Sequence, residues 1–183
     1  MKKYSLLLFL LPITVFLYSC KGKDPFRVDY SQVPPPFNSS EAVRDSVLPE
    51  GVKIYVTEEG DGQFEVTFKD AILVKYTGRT EDGDIFQSSY GRHSKKQTNF
   101  TDLLQNLYPY AIRIGNQNIP PQIEGFRKGL LGMRPGEKRI IVVPPEMGSS
   151  QEIRSGISLE GKTLIYDVEL IQIAGVPRDE VDF

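Results

Sequence analysis

From Leu164 to Leu170 every second residue is apolar: Leu164, Tyr166, Val168 and Leu170 form one set, and Ile165, Asp167, Glu169 and Ile171 form a mixed set between them. A period of two marks a strand with one face against a core and the other partly in water. The chain repeats this pattern. Val52 to Thr57 reads as a strand closed by Gly60-Asp61-Gly62. Phe64, Val66 and Phe68 then alternate with Glu65, Thr67 and Lys69, which predicts a further half-buried strand. After Asp70 the alternation resumes with Ile72, Val74 and Tyr76, and Gly78 marks a bend or bulge. Arg139 to Val143 supplies another strand, stopped by Pro144-Pro145.

One stretch inside this β-rich region has helical spacing. From about Pro121 to Gly132, with Met133 just beyond, Ile123, Phe126, Leu130 and Met133 fall three or four residues apart, and Arg134-Pro135-Gly136 ends the run. A lone amphipathic helix among antiparallel strands must bury its apolar stripe against them. The expected class is therefore α+β, a curled antiparallel β-sheet packed around one central short α-helix, over residues 48–174 with a tail at 175–183.

The N-terminal part follows other rules. Lys2 and Lys3 precede the apolar run Leu6 to Leu17, which is too short for a membrane span and is interrupted by Pro12. Residues 1–19 read as a signal peptide. Cys20 is the only cysteine, so no disulfide forms within the chain, and Leu17-Tyr18-Ser19-Cys20 resembles a lipobox, with Tyr18 larger than usual at its position. Lipidation of Cys20 with several acyl chains implies stable membrane anchoring. Residues 20–47, with Pro25, the run Pro34-Pro35-Pro36, Asn38, Ser39 and Ser40, then read as a tether. Twenty such residues stretched at about 3.1 Å each would reach roughly 60 Å. Ser40 to Arg44 is expected to begin a short helix capped by Ser40.

Charge and composition exclude several function classes. With 22 basic and 24 acidic residues the chain lacks the basic groove that nucleic acid requires, so a protein or peptide partner is expected. His93 is the single histidine and sits among Arg92, Ser94, Lys95 and Lys96, which leaves no zinc set and no Ser-His-Asp hydrolase; no cofactor or metal is expected.

Four ordered motifs carry a family resemblance. They are Val74-Lys75-Tyr76-Thr77-Gly78 with Asp82-Gly83 and Phe86-Gln87-Ser88-Ser89; the helical stretch Ile123 to Met133; Gly136-Glu137-Lys138-Arg139; and Thr163 to Leu170. Together they resemble the FKBP-type peptidyl-prolyl isomerase domain. The resemblance implies a pocket walled by Tyr76 and Phe86, with Tyr110 where the family has phenylalanine, Phe126 in place of the floor tryptophan, and Ile157 and Tyr166 completing the bowl. It also implies that the backbone N–H of Ile123 binds a substrate carbonyl. Two positions depart from the family: Gln87 stands where active members carry an aspartate, and Ser149 where they carry a tyrosine. The segment from Tyr90 to Tyr108 is longer than in the minimal domain, and Phe100, Leu103, Leu104 and Leu107 there have helical spacing after Thr98 and Asn99.

The expected activity is peptidyl-prolyl cis-trans isomerisation of exported proteins, with proline-containing polypeptides as clients. The competing expectation is a catalytically weak binding module or chaperone. The expected location is the cell envelope, as a membrane-anchored lipoprotein of the outer membrane facing the periplasm or the surface.

Overall fold

A computed structural model describes residues 28–90, 92–93, 110–113, 123–148, 153–154 and 156–174 of the 183. The signal peptide, Cys20, the helix expected after Thr98 and Asn99, Ser149 and the tail lie outside the described residues. The elements in chain order are β1 (Val28–Asp29), β2 (Arg44–Val47), β3 (Lys53–Glu58), β4 (Ala71–Thr80), β5 (Ile85–Ser88), β6 (Arg92–His93), β7 (Tyr110–Arg113), α1 (Glu124–Leu130), β8 (Lys138–Val143), β9 (Ile153–Arg154), β10 (Ile157–Ser158) and β11 (Leu164–Ile173).

Seven strands form one antiparallel sheet in the order β2-β3-β8-β11-β4-β5, with β7 pairing β4 as well. The two longest strands, β4 and β11, lie side by side at its centre and pair from Leu164↔Thr80 to Ile173↔Ile72. Their alternation decides which face is buried. Ile72, Val74 and Tyr76 from β4 and Leu164, Tyr166, Val168 and Leu170 from β11 are at most 4 % exposed and form the core with Phe126 and Leu130 of α1. The sheet thus wraps one face around the helix, as the apolar stripe requires. The irregularity expected at Gly78 is present, as a register shift between Gly78 and Arg79 in the β4–β5 ladder.

The helix lies against β8 through two glycines. An added Cβ at Gly125 would stand 2.4 Å from Val143 Cγ1, and one at Gly129 would stand 2.3 Å from Ile141 Cγ2. Only hydrogen fits at either place, so glycines one turn apart set how deeply the helix sinks into the sheet. Its C-terminal end is tied down by Arg139, 3 % exposed, whose Nη1 donates to the carbonyls of Gly129 and Leu131 while Nε donates to Glu137 at 2.5 Å. Burial lowers the Arg139 pKa, and Glu137, itself 1 % exposed, opposes that shift by supplying the counter-charge. Helix-end carbonyls otherwise lack partners, so a cation here satisfies both hydrogen bonds and dipole.

Three expectations are corrected. The segment Phe64 to Lys69 is not a strand: Val66 alone is buried, bonding through its backbone to Gly132 and Met133, while Phe64 and Phe68 are each 56 % exposed. Between Ser40 and Arg44 there is no α-helix. A 3-10 turn, Ser39–Glu41, is capped by the Asn38 side chain rather than by Ser40, and it leads into β2. Residues 28–47 are not free spacer either. Arg44–Val47 pairs with β3, and residues 28–37 run across the sheet face opposite the helix, which removes most of the 60 Å reach.

Candidate functional site

The rings named from sequence meet at one point of the core. Tyr76 comes from β4, Phe86 from β5, Phe126 from α1 and Tyr166 from β11, each placed inward by the alternation or stripe that buries its element. Phe126 stacks on Tyr166 with centroids 4.1 Å apart and planes at 23°. Phe86 meets Tyr166 edge-on, at 5.6 Å and 87°, and Tyr76 lies 5.6 Å from Phe126 at 37°. Stacked and edge-to-face contacts of this kind favour a defined arrangement over a loose apolar cluster.

A glycine makes the arrangement possible. A Cβ at Gly78 would lie 2.6 Å from Phe86 Cζ and 2.9 Å from Tyr166 Cε1, so the two rings meet over bare backbone. Sequence reading assigned Gly78 to a bend and missed this second role. It also passed over the close-contact glycines Gly125 and Gly129, whose only signal was their four-residue spacing on the helix.

The wall formed by β4 and β5 is laced by hydroxyls. Ser89 Oγ accepts from the Tyr76 N–H at 2.9 Å, Thr77 Oγ1 and Ser88 Oγ share a bond of 2.9 Å, and Ser88 Oγ accepts from the Tyr90 N–H. Gln87 stands opposite Gly78 on β5 and is half-buried. These bonds tie the turn after the wall strand back to the strand carrying Tyr76.

Ile123 stands at the helix N-cap position without a side-chain cap, and its carbonyl accepts from the Arg127 N–H at 3.1 Å. Among the described residues no hydrogen bond uses the Ile123 N–H. Ile157, on β10, is half-buried against the core. Tyr110 is placed by its backbone opposite Val74 on β7; its side chain lies outside the described residues.

The four rings are between 1 and 4 % exposed. They form a closed, packed floor rather than an open cup. A cavity of about 510 Å³ opens at the other end of the helix, between Arg44, Leu48, Ile54, Glu59, Arg134 and Arg139. It contains none of the aromatic residues, and its arginines are paired with Glu59, Glu65 and Glu137. The aromatic cluster, with the Ile123 N–H at the start of the helix that carries Phe126, is the better candidate for apolar recognition.

Comparison with known proteins bears on the same residues. The family model described as FKBP-type peptidyl-prolyl cis-trans isomerase matches residues 62–171, which include Tyr76, Phe86, Phe126 and Tyr166. FK506-binding protein 1A of Neurospora crassa is 33% identical over 131 residues, covering 72% of this chain and 95% of that protein. Among solved structures, FkpA from Escherichia coli superposes with a TM-score of 0.52 at 25% identity, covering 73% of this chain and 53% of its own, so the match spans about half of that protein. AtFKBP13 superposes with a TM-score of 0.52 at 26% identity over 72% of this chain and 99% of its own.

Proposed function

The chain belongs to the FKBP-type peptidyl-prolyl cis-trans isomerase family, and from that premise we propose that it isomerises X-Pro bonds of exported envelope proteins while anchored to a membrane by a lipid on Cys20. The observation that carries the catalytic part is the convergence of Tyr76, Phe86, Phe126 and Tyr166, with the Ile123 N–H, which no hydrogen bond uses among the described residues, at the start of the helix that carries Phe126.

An X-Pro bond exchanges slowly because rotation breaks amide resonance. No nucleophile or metal is needed to speed it, only a site that favours the twisted amide over both planar forms. Water stabilises the polarised planar amide, so an apolar aromatic surface against the prolyl ring raises the planar forms relative to the twisted one. The Ile123 N–H, fixed at the helix start, is suited to hold a flanking carbonyl through the rotation. Each 1.4 kcal/mol taken from the barrier gives about a tenfold rate gain. Phe126, on the helix, supports the prolyl ring, Tyr76 and Phe86 form the wall, and Ile157 borders the bowl, to which the family resemblance adds Tyr110.

A second reading has its own support. Gln87 is neutral where active relatives carry a carboxylate, and it cannot act as a purely accepting partner beside the pocket. Ser149 stands in for a longer tyrosine hydroxyl. Both favour a weakly active client-binding module or chaperone of a secretion or motility system.

Proline-limited refolding of a model protein, followed without a coupling protease, separates the two. Acceleration at micromolar chain supports the isomerase. No acceleration, with retained binding of proline peptides, leaves only the binding module. The anchor is tested by labelling with a fatty-acid analogue: incorporation that a Cys20→Ser variant abolishes supports lipidation, and equal labelling of both rejects it.

A further inference from the structure

We propose that residues 28–37 form a strap that positions the Phe86–Gln87 wall of the pocket, held by Tyr30 on the Phe86 carbonyl and by the Arg79–Asp167 pair beneath Pro34. This rests on the pocket reading above, and the strap itself lies outside both the motifs and the family match, which begins at residue 62.

The strap's own chemistry suits it to lie flat. Pro34-Pro35-Pro36 has no backbone N–H to satisfy and prefers an extended path, so it can cross a sheet face using its carbonyls alone. Tyr30, Val33, Pro34 and Phe37 are part-buried, while Ser31, Gln32, Pro35 and Pro36 are exposed. One side of the segment faces protein.

Beneath it lies an ion pair that no step of the isomerase reaction uses. Arg79 on β4 and Asp167 on β11 alternate with core residues and so occupy the sheet face away from the helix, yet they are only 8 and 6 % exposed. Arg79 Nη1 pairs with Asp167 Oδ2, and Nη2 donates to the Pro34 carbonyl at 3.0 Å. The Phe37 N–H also favours the ionised Asp167, although Oδ1 makes no regular hydrogen bond. A charge pair withdrawn from water requires such extra partners, and a buried pair serves geometric specification better than stability. The strap provides both the cover and a partner.

The wall is the part of the pocket that needs positioning. Among the described residues strand β5 ends the sheet, with three ladder pairs to β4, and the register shifts between Gly78 and Arg79, directly beside Phe86 and Gln87. Tyr30 Oη donates to the Phe86 carbonyl at 3.3 Å, and Val28–Asp29 pairs with Arg92–His93 just beyond β5. The strap therefore braces β5 through Tyr30, while Arg79 fixes it behind the irregular point of the ladder.

The test uses the whole mature chain in two variants. Arg79→Met with Asp167→Leu replaces the ion pair by apolar side chains of similar size, a change that commonly leaves stability unchanged or higher. Tyr30→Phe removes one hydroxyl. Hydrogen exchange of residues 28–37 and 85–89 is followed together with kcat, KM and the Kd for a proline tetrapeptide. The double variant is expected to exchange faster in both segments and to raise KM and Kd about threefold to tenfold, the size of one lost hydrogen bond, with kcat and the urea midpoint held. Tyr30→Phe should move KM the same way by a smaller factor. Unchanged exchange at 28–37 in the double variant overturns the latch. Faster exchange with unchanged KM and Kd overturns the positioning role. Failure of the pocket reading shows separately, as a wild-type chain that neither isomerises nor binds the peptide.

Discussion

The ring of Phe126 stacks on that of Tyr166 with centroids 4.1 Å apart, joining the third residue of the helix to the longest ladder in the sheet. Both are at most 3 % exposed, so this contact belongs at once to the core and to the candidate pocket. Phe126→Ala is expected to lose about 3–5 kcal/mol of stability. Urea unfolding measures it, and proline-peptide binding should fall in the fraction that remains folded. A loss of stability with full peptide affinity would remove Phe126 from the pocket.

Gly78→Ala places a methyl where Phe86 and Tyr166 already meet, 2.6 and 2.9 Å from its carbon. Neither buried ring has room to withdraw, so about 1–3 kcal/mol of destabilisation is expected. Phe86→Leu in the same chain should relieve part of it. A double-mutant cycle in urea with no coupling between the two changes would show that the close approach does not govern the site.

Arg139→Met leaves Glu137 buried without its counter-ion and removes the donor to Gly129 and Leu131. Breaking one side of such a pair costs about 3–5 kcal/mol. Changing Glu137→Leu as well should restore much of that. Thermal or urea unfolding of the single and double variants checks both statements.

Burial is the largest influence on Asp167 and raises its pKa above the ordinary 3.8, with Arg79 and the Phe37 N–H opposing the rise. An acid whose folded pKa is raised contributes stability that is present below its unfolded value and is lost as pH climbs through the folded value. The stability of the wild type relative to Asp167→Asn should therefore fall as pH rises from below 3.8 towards neutrality. Urea midpoints of the two chains across that range give the sign directly. A difference that grows with pH contradicts it.

Gln87→Asp places a carboxylate on the wall strand β5. If charge at this position limits turnover, kcat/KM should rise on the order of tenfold, equivalent to about 1.4 kcal/mol of transition-state stabilisation. Refolding kinetics measure it, and an unchanged rate rejects the carboxylate as the limiting feature.

Legibility in the sequence followed the source of each stabilisation. Leu164 to Leu170 and Ile72 to Tyr76 were readable because central strands bury every second residue, and the Ile123 to Met133 stripe was readable because a helix against a sheet buries one face. Phe64 to Lys69 carried the same period of two and misled. Its backbone bonds to residues 132 and 133 at the end of the helix, so one side chain, Val66, is enough to anchor it and the phenylalanines stay exposed. Alternation records which side chains are apolar, not which backbone pairs with which.

The sequence by itself determined the α+β class, the buried faces of β4 and β11 and the helix that packs on them, because these depend on periodicities that repeat along the chain, and its resemblance to a known family named the aromatic residues of the candidate site. Tertiary structure alone decided that Phe126 reaches Tyr166, that Gly78, Gly125 and Gly129 must lack a side chain, and that residues 28–37 lie on the sheet instead of hanging free. Each of these depends on a partner distant in the chain. Arg79 is 45 residues from Pro34 and 88 from Asp167, and only folding the strands side by side brings the three groups within hydrogen-bonding reach.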